Sequence, residues 1–590
     1  MQREAIYHRP KANYAYAYDD LTLHIRVRTK KHEMQSVELL WGDKYDWDAT
    51  HQITLMDKLA TDPLFDYWQA AIQPKTRRTR YGFGFTPEKG KQLWMTERQF
   101  CNEMPGDPNQ LFDFPYLHAS DRLNIPDWAR DAVFYQIFPE RFANGDPSIS
   151  PAEAAEWDGI PRWDNFYGGD LAGIIKHLDH LSELGINALY LTPVFEATTN
   201  HKYDTVDYKK IDPHFGDIDT LKQLVKACHD RGIRVVLDAV FNHCGYHYPP
   251  FQDVLAHGEQ SRYKDWFYIH DFPIVTGPRP NYECFGFHDQ MPKFNTQHPE
   301  VKEALLDVAR YWIEEADIDG WRLDVANEVD HEFWRDFRKV VKSAKPDALI
   351  IGEIWHDSMP WLEGDQFDTV MNYPFNDAVH AFIAKGTIKS AQAFGETLSQ
   401  VLAMYPSHVT EAMFNLLDSH DTPRLLTACQ NDKRKMKLAT LIMLTYPGMP
   451  CIYYGDEVGM TGGQDPGCRQ AMVWERAEQD RELFGFYQAL IRLRHQLAPL
   501  RRGEMKTVYA APKQMGFLYT RTYQGETVYV AVNNGKKPVT IPLTETPGKT
   551  LINQLQLDQS GESGANVTVG SDGTAHIELA PYGYAIYTVE

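Results

Sequence analysis

The chain has 590 residues, too many for one hydrophobic core, and at about 150 residues per domain it divides into roughly four units or one large barrel with appendages. With 60 basic and 81 acidic residues its formal charge is −21, so a polyphosphate is repelled, no basic stripe exists to bind nucleic acid, and a neutral or cationic substrate is favoured. The opening MQREAIYHRP has no apolar signal core and no run of about 18 apolar residues occurs, which argues against secretion and a membrane span, while seven cysteines without a CxxC pair predict reduced thiols in a cytoplasmic protein without a zinc cluster.

Residues 1–121 are expected to form a β-sandwich: LTLHIRVRT alternates strictly, with Leu21, Leu23, Ile25 and Val27 on one face, and similar short runs recur up to YGFGF at 81–85. From 122 to 502 the texture becomes apolar strand, polar turn and amphipathic helix in alternation. The strand candidates are AVFYQIF, INALYLTPV, IRVVLDAVF, GWRLDV, ALIIGEIW, DTVMNYP, AMFNLLDS and PCIYYGDEV. Eight apolar strands separated by helices predict an α/β fold with a closed, parallel TIM (β/α)8 barrel. After the third strand, about 242–296 is rich in Tyr, Phe, Pro and His without a clear helical period, and is expected to be a small inserted domain. Period-two alternation returns in FLYTRTY and TVYVAVNN, so residues 503–590 are expected to form a second β-sandwich.

In such a barrel the chemistry collects where the strands end at their carboxyl edge. Four strands end in polar residues: DAVFNH (238–243), RLD (322–324), GEIW (352–355) and DSHD (418–421). Any one of these is explained by a capped loop or a structural ion pair. Four in one ring are not, because clustered carboxylates repel one another and resist burial. Glycosidic hydrolysis needs two carboxyl groups of different proton affinity. Arg322 and Asp324, two apart on a strand, share a face, so Asp324 is expected to be ionised. Glu353, with Ile351, Ile354 and Trp355 nearby, is expected to meet an apolar wall that raises its pKa and makes it the acid. Asp421 follows His420 and is placed to hold sugar hydroxyls.

The ordered series DAVFNH, GWRLDVANE, GEIW and LLDSHD resembles the four signature regions of the α-amylase family of retaining glycoside hydrolases, and MPKFN (291–295) resembles the MPKLN signature of its neopullulanase, cyclomaltodextrinase and maltogenic amylase subgroup. The resemblance implies that Asp324 is the nucleophile, Glu353 the general acid/base and Asp421 the stabiliser of the distorted sugar. It places Arg322, His243 and His420 around the sugar next to the cleavage point, with His201 and Tyr203 of NHKYD beside it. Asp465 and Arg469 match a further sugar-binding pair, Phe285 and Trp355 are implied aromatic platforms, and Asn327 with Glu328 would line the leaving-group side, where water and acceptor sugars compete. Two positions depart from the pattern: Phe294 replaces the usual Leu, and Asp418 stands where Gly is common, adding a negative charge near the site.

Asn144, Asp146 and Ser150 in RFANGDPSIS, with Gly168 and Asp170 in FYGGD, offer the hard oxygen donors that calcium prefers. Asn-Gly-Asp-Pro is by itself a turn; the resemblance, since some members of the subgroup bind calcium here, makes it a candidate structural Ca2+ site. The resemblance also implies cleavage of α-1,4 bonds in cyclodextrins, pullulan and malto-oligosaccharides with transglycosylation, and a homodimer in which the N-terminal domain narrows the partner's cleft. An α-1,6-acting or isomerising relative, or a non-catalytic carbohydrate-binding protein, are the alternatives; the first is expected to lack MPKFN and the second to have lost a catalytic carboxylate.

Overall fold

The computed structural model describes residues 1–555 and 563–590. Eight strands, Phe134–Ile137 (β1), Ala188–Leu191 (β2), Arg234–Ala239 (β3), Gly320–Leu323 (β4), Leu349–Gly352 (β5), Thr369–Val370 (β6), Phe414–Leu416 (β7) and Met449–Tyr453 (β8), pair in parallel in chain order, with β8 returning to β1. A parallel bridge from Met371 to Phe414 joins the end of β6 to β7, and Asn372 N donates to Phe414 O at 2.8 Å, so the sheet closes. The strands are apolar throughout because both faces are covered. Phe134, Tyr190, Val236, Ile351 and Phe414 pack together inside the ring, while their neighbours Tyr135, Leu189, Val235 and Ile350 pack against the helical layer. The barrel helices start where carboxylate or hydroxyl side chains accept from exposed amides: Asp217 caps Ile218–His229, Asp330 caps His331–Ala344, Ser390 caps Ala391–Met404 and Asp480 caps Arg481–Gln496. Each such cap contributes about 1 kcal/mol.

Two excursions from the barrel carry parts of the pocket. A hairpin of Phe195–Ala197 with Thr205–Ile211 follows β2 and had no counterpart among the expected strands. The segment after β3 contains a helix, Pro249–His257, and is tied at its ends by bridges from His243 to Lys293 and Cys284 to Pro292. This helix escapes periodicity because it is short and opens on Pro249-Pro250, which suits the first helical turn but reads as a breaker.

The N-terminal region is a pair of antiparallel sheets of four and six strands, whose facing residues Leu23, Ile25 and Val27 bury against Val37, Leu39, Phe83 and Phe85. Leu21, expected on that face, is instead 58% exposed. Asp19 Oδ1 accepts from Leu21 N at 2.8 Å and Thr22 N at 2.7 Å, and this local turn delays the strand to Leu23. At the C-terminus a six-stranded sheet packs on a two-stranded one around Leu518, Ala531, Ile541 and Ile577. Among the described residues no helix is long and apolar enough to cross a membrane.

The N-terminal sandwich is bolted to the barrel by buried polar groups. Arg26 donates to Tyr405 O at 2.6 Å and Ser407 Oγ at 2.9 Å, and Asn13 Nδ2 to Met404 O at 3.0 Å. His24 and His408 lie at this seam, the first stacked on Tyr18 at 4.4 Å and the second edge-on to Tyr16 at 5.4 Å. Burial lowers each imidazole from 6.5 to about 3. Between those values the unfolded chain binds protons that the folded one does not, so stability is lost as pH falls below 6.5. Melting temperature should therefore drop between about pH 7 and pH 5, as unfolding free energy falls by up to about 1.4 kcal/mol per pH unit for each imidazole. His408→Leu should flatten that slope by removing one titrating imidazole, and it costs no hydrogen bond at Nδ1; an unchanged slope would place the acid sensitivity elsewhere.

Candidate active site

Strand register assembles the centre. Asp238 on β3 is paired with Arg322 on β4, and Leu323 with Gly352 on β5, so Asp324 and Glu353 emerge side by side one residue later. Arg322, 1% exposed, reaches both oxygens of Asp238 at 3.0 Å and Asp324 Oδ1 at 2.8 Å through Nη1, while its Nη2 lies 2.8 Å from Glu353 Oε2 as an ion pair. One cation thus serves three carboxylates. Pairing of Asp324 with its own arginine was expected to hold it ionised; instead burial pushes its carboxyl well above the usual range, Arg322 opposes, and Glu353 and Asp238 push further upward. Asp238 is pushed up to about 6, again by burial against Arg322.

Glu353 also meets two neutral donors. Its Oε2 accepts from Val325 N at 2.9 Å and its Oε1 from Trp355 Nε1 at 3.2 Å. Val325 reaches it by adopting φ 45°, a left-handed conformation that a β-branched residue enters only under constraint. Asp421 is one-third exposed, with Arg469 Nη2 and His420 Nε2 each at 3.3 Å. A relay fixes the ring of His420: Gln136 Nε2 meets Nδ1 at 2.7 Å, His420 Nε2 meets the Tyr203 hydroxyl at 2.7 Å, and Tyr203 donates to Asp238 Oδ2 at 2.9 Å. With the Gln136 amide donating to Nδ1, the proton sits on Nε2. Burial holds His420 well below 6.5, hence neutral, and lowers His243 to about 3 and His201 to about 4.

These groups line one cavity of about 630 Å³. Asp324, Glu353 and Asp421 form its floor with His201, Tyr203, His243 and His420; Phe285 and Trp355 wall it; Asn327 and Glu328 stand on the Glu353 side, and Asp465 with Arg469 beyond Asp421. Of the residues singled out in the sequence for sugar contact, only Arg322 lies beneath the lining. His243 Nε2 and Asp465 Oδ1 are buried and make no hydrogen bond within the protein. Trp163, His288, Met291 and Val325 also line the cavity and were not singled out as site residues. Met291 was within reach, since it opens MPKFN. Tyr190, whose hydroxyl donates to Asp238 at 2.6 Å, and Gln136 act from below the floor, where strand sequence alone does not distinguish them from core; Asp238, which opens DAVFNH, lies there too.

Residues 136–503 match the family described as alpha amylase, catalytic domain, residues 1–118 the alpha amylase N-terminal ig-like domain, and residues 505–586 the maltogenic amylase C-terminal domain. The chain belongs to the α-amylase family. It is 55% identical to a cyclomaltodextrinase of Geobacillus thermopakistaniensis over 100% of both chains, and 48% identical to neopullulanase 2 of Thermoactinomyces vulgaris over 99% of this chain and 98% of that one. A solved cyclomaltodextrinase superposes with a TM-score of 0.94 at 52% identity, covering 100% of each chain.

Both departures from the family pattern are absorbed. Phe294 is buried among Phe267, Tyr248 and Tyr208, with ring centroids 5.6–6.0 Å away. Asp418 points away from the pocket: its Oδ2 accepts from Leu425 N at 2.6 Å, and it adjoins Asp456, itself paired with Arg424 at 3.2 Å. The calcium candidates fit the ion poorly. Both oxygens of Asp170 are taken by backbone N–H groups of Gly145, Asp146 and Gly173 at 2.6–3.0 Å, Asp146 turns outward to Ser148, and Ser150 Oγ accepts from Asn144 Nδ2 at 2.9 Å. Lys176 donates its ammonium to Gly145 O in the same loop. Asn144 Oδ1 is left buried and unbonded, and with the Gly168 carbonyl it is what the set offers an ion that takes six to eight oxygens, backbone carbonyls and waters included. Among the described residues no group of three or more His, Cys, Asp or Glu converges as a cation site. Added chelator should accordingly leave the melting temperature unchanged; a drop reversed by Ca2+ but not Mg2+ would show that the loop rearranges around the ion.

Proposed function

We propose that the protein is a retaining glycoside hydrolase of the cyclomaltodextrinase, neopullulanase and maltogenic amylase type, cleaving α-1,4-glucosidic bonds of cyclodextrins, pullulan and malto-oligosaccharides. The observation that carries the reading is the placing of Asp324 and Glu353 on adjacent nitrogens of one buried guanidinium, at the floor of a cavity walled by aromatic rings. In this reading Asp324 Oδ attacks the anomeric carbon while the Glu353 carboxyl gives its proton to the departing glycosidic oxygen; Glu353 then takes a proton from water, which displaces Asp324 with net retention. The ionised form of Asp324, disfavoured by burial, gains as positive charge develops at the anomeric carbon, so its stabilisation is concentrated in the transition state. An acceptor sugar held against Asn327 and Glu328 in place of water gives transglycosylation.

Asp324→Asn should lower turnover of β-cyclodextrin by on the order of 10⁴-fold or more while melting stays near wild type. Retained hydrolysis would move the nucleophile elsewhere, and a wild-type preference for soluble starch over β-cyclodextrin and pullulan would sink the substrate class.

The same reading includes a cytoplasmic homodimer joined through the N-terminal domain. Supporting it, Ile53 and Leu55 are 49% and 66% exposed on the sheet-edge strand Gln52–Leu55, and Tyr45 nearby is 75% exposed, an apolar face that a lone chain leaves wet. All seven cysteines are unpaired and six are buried, which suits a reducing compartment. Sedimentation equilibrium should return the mass of two chains; a monomer that still prefers β-cyclodextrin to starch would remove the dimer from the explanation of specificity.

A further inference from the structure

Beyond Arg469 the cavity ends against a loop whose side chains the hydrolytic mechanism does not use. Trp163 on this loop lines the same cavity as the catalytic carboxylates, yet 61% of its surface is exposed, and its ring lies 5.9 Å from the Arg469 guanidinium. A single exposed aromatic is ordinary on a protein surface; Trp163 stands apart because it faces the catalytic cavity on a loop held in place. Here the backbone is pinned. Asn200, 3% exposed, donates Nδ2 to Trp163 O at 3.1 Å and to Asn165 O at 2.8 Å. Asn165 in turn accepts from Arg162 N at 2.9 Å and donates to Ile160 O at 3.0 Å, and the buried Arg141 donates to Asn165 O at 3.0 Å. Because Asn200 directly precedes His201, the loop that presents Trp163 is fastened to the loop that presents His201 and Tyr203.

We propose that Trp163 is a specificity-determining sugar platform, stacking on a glucosyl unit of the glycone beyond the one that Asp465 and Arg469 meet. The inference rests on the hydrolase reading above, which fixes the direction of the chain. Glu353 protonates the departing oxygen, so the leaving part of the substrate lies toward Trp355, Asn327 and Glu328. The retained part runs past Asp421 and Arg469, and Trp163 is the aromatic face it reaches next. One face of a pyranose is a patch of C–H groups. Laid on an indole it removes apolar area of both partners from water and sets weakly positive hydrogens against the negative ring face. A pinned platform loses little conformational freedom on binding, and an uncharged sugar meets no repulsion from the acidic surface. A short linear substrate leaves this platform idle; a longer one uses it.

The test compares kcat/KM for maltoheptaose and maltotriose in the wild type, Trp163→Ala and Trp163→Phe, with sedimentation of each. The expected result is a fall in the maltoheptaose-to-maltotriose ratio of roughly three- to tenfold for Trp163→Ala, carried by KM, with most of it recovered in Trp163→Phe. An unchanged ratio in Trp163→Ala, with the wild type active on both sugars, would overturn the platform and leave the hydrolase reading intact. A ratio that falls only together with loss of the dimer would likewise overturn it and make Trp163 an interface residue. A wild type that cleaves neither sugar would overturn the hydrolase reading itself, and the platform with it.

Discussion

The single positive charge of Arg322, sealed beneath the pocket and divided among Asp238, Asp324 and Glu353, is the constraint on which the rest of the centre depends. Three carboxylates buried within reach of each other repel and lose hydration; without a cation they would hold protons or spread apart. With only one cation the balance is incomplete: burial pushes the Asp324 and Asp238 carboxyls upward, and the charges of Glu353 and Asp238 push that of Asp324 further. That shortfall has a chemical use. A site short of positive charge binds developing positive charge most strongly, which is what the oxocarbenium-like transition state of glycosidic cleavage supplies.

Around this core, geometry is held by neutral groups. Tyr190 and Tyr203 both donate to Asp238, and Tyr203 stacks on His420 with centroids 5.4 Å apart and planes 3° from parallel. Burial keeps His420, His243 and His201 uncharged, so they orient and contact without adding to the charge sum. Val325 adds tension of another kind: its left-handed backbone turns the amide next to Asp324 onto the carboxylate of Glu353, linking the two groups through main chain as well as through arginine.

Much of this was legible in the residues. Eight apolar strands alternating with helices could bury both faces only in a parallel sheet, and the polar residues that interrupt them mark one edge of it. The hairpin after β2 was not legible, because its longer strand, Thr205–Ile211, buries every third residue rather than alternating, and its partner Phe195–Ala197 is only three residues long. The helix Pro249–His257 was hidden by its opening prolines, and Leu21 was misplaced because alternation continues through a turn that Asp19 makes locally. The calcium candidates show the same limit: Asp170 has the right chemistry, but only the fold reveals that backbone amides occupy its oxygens. Trp163 carried no signal, since a tryptophan in a polar loop has the same sequence whether it faces solvent, core or ligand.

By itself the sequence determined which groups were available and in what order along the strands: Arg322 and Asp324 two apart on one face, Glu353 at the next strand end, Asp421 after His420, and the signature segments that carry the family. Those properties are local, set by strand periodicity and residue chemistry. Tertiary structure decided how many carboxylates share Arg322, which histidines are neutral, which donors are already satisfied and which aromatic rings stand at the rim. These depend on distances and burial between segments tens to hundreds of residues apart, and electrostatic energy in a buried site follows those quantities rather than spacing along the chain.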